Sequence, residues 1–205
     1  MPSKSVITIA MTDGAHAGEI ARAAAERLGY RYVNTQIIDF AAEQAGVDPK
    51  TIAAVEHTKP LIARIMQSLA ISSPDAQLTN NWAPLLDERP EYTALIKDVV
   101  RAVANEGKVV IGAHGASISL AGMPGLLRVF ITASHDARVT RVASEQRVSL
   151  GDARKQVQNS DRERKAYFER FFNLGAEHPT HYDLVINTEL LPMEAAVKVI
   201  AAAAE

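Results

Sequence analysis

The chain has 205 residues, a formal net charge of −2 and no cysteine. That length suits a single domain able to bury a substantial core. The near-neutral charge gives no bulk attraction to nucleic acid or to an anionic membrane, and without cysteine neither disulfides nor thiolate metal sites can form. No apolar run approaches the roughly 20 residues of a membrane span. The run that follows Met1-Pro2-Ser3-Lys4 is too short for the apolar region of a signal sequence. A soluble, cytoplasmic protein is expected.

Val6 to Ala10 is β-branched and apolar, the signature of a strand buried on both faces. Gly14-Ala15-His16-Ala17-Gly18 follows as a small-residue loop, and Glu19 to Leu28 as an alanine-rich helix with Ile20, Ala24 and Leu28 on one stripe. Gly29 suits the helix stop. Tyr30 to Val33 predicts a second strand. Thr35 caps a helix over about 36–45, and Asp48-Pro49 starts another. From Lys59 to Pro90 the pattern loosens, punctuated by Ser72-Ser73-Pro74-Asp75 and Asn80-Asn81, and reads as a variable insertion. Glu91 to Asn105 predicts a helix that ends at Glu106-Gly107. Strands are expected at Lys108 to Ile111, opening into Gly112-Ala113-His114-Gly115, and at Leu126 to Thr132. Ser134 or Asp136 caps a helix through about Glu145; Ser149 starts a charged one that ends near Asn173-Leu174-Gly175. A short strand, Asp183 to Asn187, precedes a last helix, Pro192 to Ala204.

Strands alternating with helices predict an α/β fold: a three-layer sandwich around a mostly parallel sheet of about five strands. Ligands of such sheets bind outside the carboxyl ends of the strands, where glycines cluster at Gly14 and Gly112. The strand–loop–helix at the start has the layout of a phosphate-binding loop. Its chemistry is incomplete. Counted from Gly14, the pattern G-x-x-x-x-G-K-[ST] places its second glycine on Glu19 and its lysine on Ile20, and no lysine follows until Lys50. A tight strand–helix turn and a cradle that binds phosphate through helix amides alone both remain open.

Five segments, in order and spacing, resemble the cytidylate-kinase-like family. They are Val6-Ile7-Thr8-Ile9 with the glycine loop and Glu19-Ile20-Ala21-Arg22; Tyr32-Val33-Asn34-Thr35-Gln36-Ile37-Ile38; Val109-Val110-Ile111-Gly112 followed by Leu126 to Ala133; Asp136-Ala137-Arg138-Val139-Thr140-Arg141-Val142; and Asp161-Arg162-Glu163-Arg164-Lys165-Ala166-Tyr167-Phe168 with Tyr182 to Thr188. The resemblance implies a single nucleoside-monophosphate-kinase-like domain over 1–205, with a helical lid around 147–175. It implies transfer of the γ-phosphoryl of ATP, with Mg2+, to a small phosphate acceptor. Gly14, Ala15, His16, Ala17 and Gly18 then hold the donor phosphates with Arg141, and Arg138, Arg162 and Arg164 carry the catalytic charge. Gly112 and His114 face the acceptor. A histidine carries full charge only below a pKa of roughly 6.5.

The chain departs from the family at two cationic positions. Gly18 stands where the loop carries a basic residue, and His114 is the nearest candidate where an arginine is usual. Three readings follow: an active kinase, a degenerate module that binds a nucleotide or other anion without transferring phosphate, and a purely structural subunit. Asp161 is expected to pair with Arg162 or Arg164. Tyr167, Phe168, Phe171 and Phe172 are expected to pack the helix onto the core or onto a second subunit, and the loose segment from Lys59 to Pro90 could exchange or dock between the subunits of a homodimer. His178 and His181 have poor geometry for zinc, and no metal site is expected.

Overall fold

The computed structural model describes residues 5–34, 90–112 and 115–205. The helices expected over 36–45 and from Asp48-Pro49, the insertion around 59–90 short of Pro90, and His114 lie outside the described residues.

The described elements run β1 (Val6–Met11), α1 (Ala17–Leu28), β2 (Arg31–Asn34), α2 (Pro90–Asn105), β3 (Val109–Gly112), α3 (Ala116–Ser119), β4 (Leu126–Thr132), α4 (His135–Gln146), α5 (Leu150–Phe172), a 3-10 turn (Pro179–His181), β5 (Leu184–Asn187) and α6 (Met193–Ala204). The five described strands form one sheet in the order β2-β3-β1-β4-β5. Every pairing is parallel; Thr8 lies opposite Ile111 on one side and Arg128 on the other. The expected α/β sandwich around a parallel sheet is the fold observed.

Strand alternation builds two cores. Ile7, Ile9 and Met11 of β1 face α1 and α6, where they join Ile20, Ala24, Val129, Ile131 and Ile200. The alternate residue Thr8 faces α3 and accepts a hydrogen bond from the Ser117 hydroxyl at 2.9 Å. Ile7, Ile20, Ile111, Ile131 and Ile200 are fully buried, each contributing about 1.5–3 kcal/mol relative to exposure. Polar caps fix the helix ends. Ser134 Oγ accepts from the Ala137 amide at 3.3 Å, and Ser149 Oγ from the Asp152 amide at 3.1 Å. Gly29 ends α1 with φ of +66°, its amide turned back to Ala25 and Glu26.

α4 and α5 pack together through Val139, Val142, Ala153 and Val157. Tyr167 and Phe168 are buried near the end of α5, against Ile118, Phe171, Phe172 and Leu174. The aromatic stripe therefore packs the helix onto its own chain. Lys97 of α2 seals that end, lying 4.8 Å from the Phe172 ring and donating to the Phe171 carbonyl at 3.3 Å. Among the described residues, no helix is long and apolar enough to cross a membrane.

Candidate active site

Chain direction brings the carboxyl ends of β1 and β4 side by side, with the β1–α1 turn beyond them. The Thr12 amide continues the ladder to the Ile131 carbonyl at 3.3 Å, and the Thr12 hydroxyl donates to that of Thr132 at 3.2 Å. The turn itself is held from outside. The Asp13 carbonyl accepts from Arg138 Nη1 at 3.3 Å, the Gly14 carbonyl from Arg141 Nη1 at 3.3 Å, and the Ala15 carbonyl from the Thr188 hydroxyl at 3.0 Å. Gly14 has φ of +75°, and a Cβ there would lie 2.7 Å from the Arg138 carbonyl oxygen. α4 thus uses the missing side chain for its own close approach.

Ala15, Ala17 and Gly18 are buried, so the small residues pack the turn onto the core. His16 is the N-cap of α1 in a left-handed conformation, with Nδ1 at 3.4 Å from Glu145 Oε1. Asp13 sends its carboxylate to Gln156 Nε2 of α5 at 3.2 Å. Burial raises its pKa, opposed by the Gln156 and Gly14 hydrogen bonds and by the Arg138 charge.

The arginines divide into three kinds. Arg138 and Arg164 are buried and paired. Arg138 donates to both Asp161 oxygens, at 2.9 and 2.7 Å. Arg164 donates Nε and Nη2 to Glu177 at 2.6 and 2.7 Å and Nη1 to the Met11 carbonyl at 2.8 Å. Its guanidinium lies 4.8 Å from the Phe168 ring centre. Arg141 braces the turn against the segment after β5, donating to the Thr188 carbonyl at 2.7 Å and to its hydroxyl at 3.0 Å. Arg162 is exposed and donates to Asn159 one turn earlier.

Asp161 therefore pairs with neither Arg162 nor Arg164, as the sequence had suggested, but with Arg138 on the preceding helix. Successive helical positions diverge by about 100°, which aims Arg162 away, and Glu177 already holds Arg164.

A cavity of about 390 Å3 opens beside this network, its described lining comprising Thr12, Phe130, Arg138, Asp161, Arg164, Lys165, Phe168, Leu174, Gly175, Ala176 and Glu177. Three of those side chains are cations and two are carboxylates. Tyr182 supports the wall, stacking on Phe130 at 5.1 Å and donating its hydroxyl to Glu177. Burial, then the Glu177 charge, raises the Tyr182 pKa and keeps it a donor.

The structure brings Arg138 and Arg164 to one cavity and leaves Arg162 and Arg141 out of its described lining. Gly112 ends β3 on the other side of β1, with a hypothetical Cβ 3.0 Å from Met11 Cε and 3.2 Å from the Tyr32 hydroxyl. Sequence reasoning passed over Lys165, Glu177 and Thr188. Lys165 alone carried a signal: it stands one helical turn after Asp161, on the same face.

A cytidylate kinase of Thermoplasma acidophilum is 26% identical over 95 residues, which make up 46% of this chain and 50% of that protein. The match thus spans about half the length of this curated relative. Among solved structures, an uncharacterized protein from Eubacterium ventriosum superposes with a TM-score of 0.63 at 16% identity, covering 96% of each chain. Shikimate kinase from Bacteroides thetaiotaomicron gives 0.54 at 14% identity, again over 96% of each. At such identities the likeness is one of fold. Residues 6–190, nearly the whole chain, match a single family description. The chain belongs to the cytidylate kinase-like family.

Proposed function

We propose that the protein is an ATP-dependent phosphotransferase acting on a small phosphate acceptor such as a nucleoside monophosphate. Family membership supports a phosphotransferase-like function at the coarse level. The observation that carries the finer reading is the cavity at the carboxyl rim of the sheet, next to the β1–α1 turn, with one more cation than carboxylate in its described lining. Phosphoryl transfer needs positioning and charge neutralisation more than covalent chemistry, and a partly enclosed cationic cavity supplies both.

The residues present fit a phosphate-bearing ligand in charge. Arg138 Nε is buried without a hydrogen-bond partner, in a guanidinium whose two other nitrogens are held by Asp161. For Mg2+, no group of three or more His, Asp or Glu side chains converges among the described residues. An Mg2+ ion would then arrive with the nucleotide as counterion to its phosphates, rather than on a carboxylate cluster of the described residues. Bound ATP with its ion supplies the transferable γ-phosphoryl. The chain's own part is to hold the turn in shape through Arg138, Arg141 and Thr188, and to exclude water with Phe130, Phe168 and Leu174. Arg138 and Arg164 present charge only so far as their carboxylate partners release it.

The test is calorimetric titration with ATP, with and without Mg2+, followed by an assay of ADP release over a panel of nucleoside monophosphates. Saturable binding with acceptor-dependent turnover is expected. Lack of binding at millimolar ATP overturns the proposal, and binding without turnover replaces it with the anion-binding module.

A further inference from the structure

We propose that Lys165 is the specificity-determining residue of this cavity, the side chain that anchors the phosphate of a small phosphomonoester. The proposal rests on the phosphotransferase reading and deepens it.

The first observation is the face of α5. Asp161, Arg164, Lys165 and Phe168 all line the cavity, and their spacing of i, i+3, i+4 and i+7 places them on one stripe of a helix. Arg162, in the same charge-dense run, falls off that stripe.

The second is charge. Arg138 is bonded to both oxygens of Asp161, and Arg164 to both oxygens of Glu177. Breaking the Arg164–Glu177 pair to reach a ligand strands a buried carboxylate, which is expensive. Asp161 is 36% exposed, so the Arg138 pair is less costly to open but still occupied. Arg164 and Glu177 are 7% and 14% exposed. Lys165 lines the same cavity and makes no hydrogen bond or ion pair with any described residue. Its ammonium is the surplus charge among the described residues of the lining, available without breaking a contact to any of them.

The third is the match to a ligand. One unpaired cation answers a phosphomonoester, whose charge is about −1.5 to −2 near neutral pH, better than a triphosphate of about twice that charge. Phe130, Phe168 and Leu174 give the organic body of such an ester an apolar wall. An ammonium on a flexible stem binds phosphate as a point charge and needs no fixed bidentate geometry.

The test uses the full chain, with CMP and inorganic phosphate as probes in calorimetry, and the variants Lys165→Met, Lys165→Arg and Arg162→Met. Lys165→Met is expected to weaken both probes at least tenfold with an unchanged melting temperature. Lys165→Arg restores most of the affinity, and Arg162→Met changes nothing. Wild-type affinity in Lys165→Met overturns the proposal; so does equal weakening in Arg162→Met, which would mean diffuse surface charge. Absence of any phosphate binding by the wild-type chain overturns it as well. The two readings fail separately. Lys165-dependent CMP binding without ADP release removes the kinase reading alone, and turnover indifferent to Lys165 removes this one alone.

Discussion

Replacing Arg164 by methionine asks whether that arginine is held by the fold or free for a ligand. Methionine keeps an apolar stem against Phe168 and removes three donors: two to Glu177 and one to the Met11 carbonyl. Glu177 is then left with the Tyr182 hydroxyl as a hydrogen-bond partner. Removing one member of a buried ion pair costs about 3–5 kcal/mol, which for a chain of this size lowers the melting temperature by roughly 6–20 °C. Glu177→Gln alone costs less, because a neutral amide keeps an acceptor for Arg164. The double variant Arg164→Met/Glu177→Gln no longer strands a carboxylate. It is expected to recover on the order of 2 kcal/mol relative to the sum of the singles. Urea denaturation followed by circular dichroism, on all four proteins of the cycle, gives the coupling directly. A single-variant loss below about 1 kcal/mol, with additive singles, would refute the reasoning. It would mean that solvent screens the pair and that Arg164 is as available to a ligand as Lys165.

Two further predictions concern the turn. Gly29→Ala meets nothing within 4 Å and bears only its φ of +66°, a strain of about 1–2 kcal/mol. Gly14→Ala carries similar strain at +75° and also drives a Cβ to 2.7 Å from the Arg138 carbonyl oxygen, adding about 1–3 kcal/mol. Equal losses in thermal denaturation would show that α4 does not need the gap at Gly14. Asp13 tests linkage. Its folded pKa is raised above 3.8, so the folded state holds the proton at a pH where the unfolded chain has lost it. Stability therefore falls as pH rises from the unfolded pKa through the folded one. Asp13→Asn is expected to raise the melting temperature at pH 7 and to lose that gain near pH 3. A gain that ignores pH would contradict the assignment.

Much of the fold was legible because its signals are local. The β-branched run at Val6 predicts β1, and Leu126 to Thr132 matches β4 to the residue. Ser134, Ser149 and Gly29 mark helix ends through hydrogen bonds within a few residues. α3 escaped, being four residues long. It depends on tertiary contact, including a hydrogen bond from Ser117 to Thr8, 109 positions earlier. The site was legible in composition but not in partnership. Arg138 and Asp161 stand 23 residues apart on different helices, and Arg141 meets Thr188 across 47. Charge patterning within one helix cannot reveal such pairs. Neither Glu177 nor Thr188 lies in a helix or strand, so no periodicity marked them. What decides the arginines' availability is therefore long-range, and only the three-dimensional arrangement discloses it.

The central place of β1 has a consequence during synthesis. Its register partners are Val109 to Ile111 on one side and Leu126 to Ile131 on the other, so Met11 leaves the ribosome about 120 residues before Ile131. At about 5–20 residues per second, the middle of the sheet waits some 6–24 s for its neighbours, offering an unpaired Val-Ile-Thr-Ile edge to whatever binds nascent chains. Maturation of this protein in the cell should accordingly respond to translation speed and to chaperone supply, and the fastest ribosomes should give the highest soluble yield.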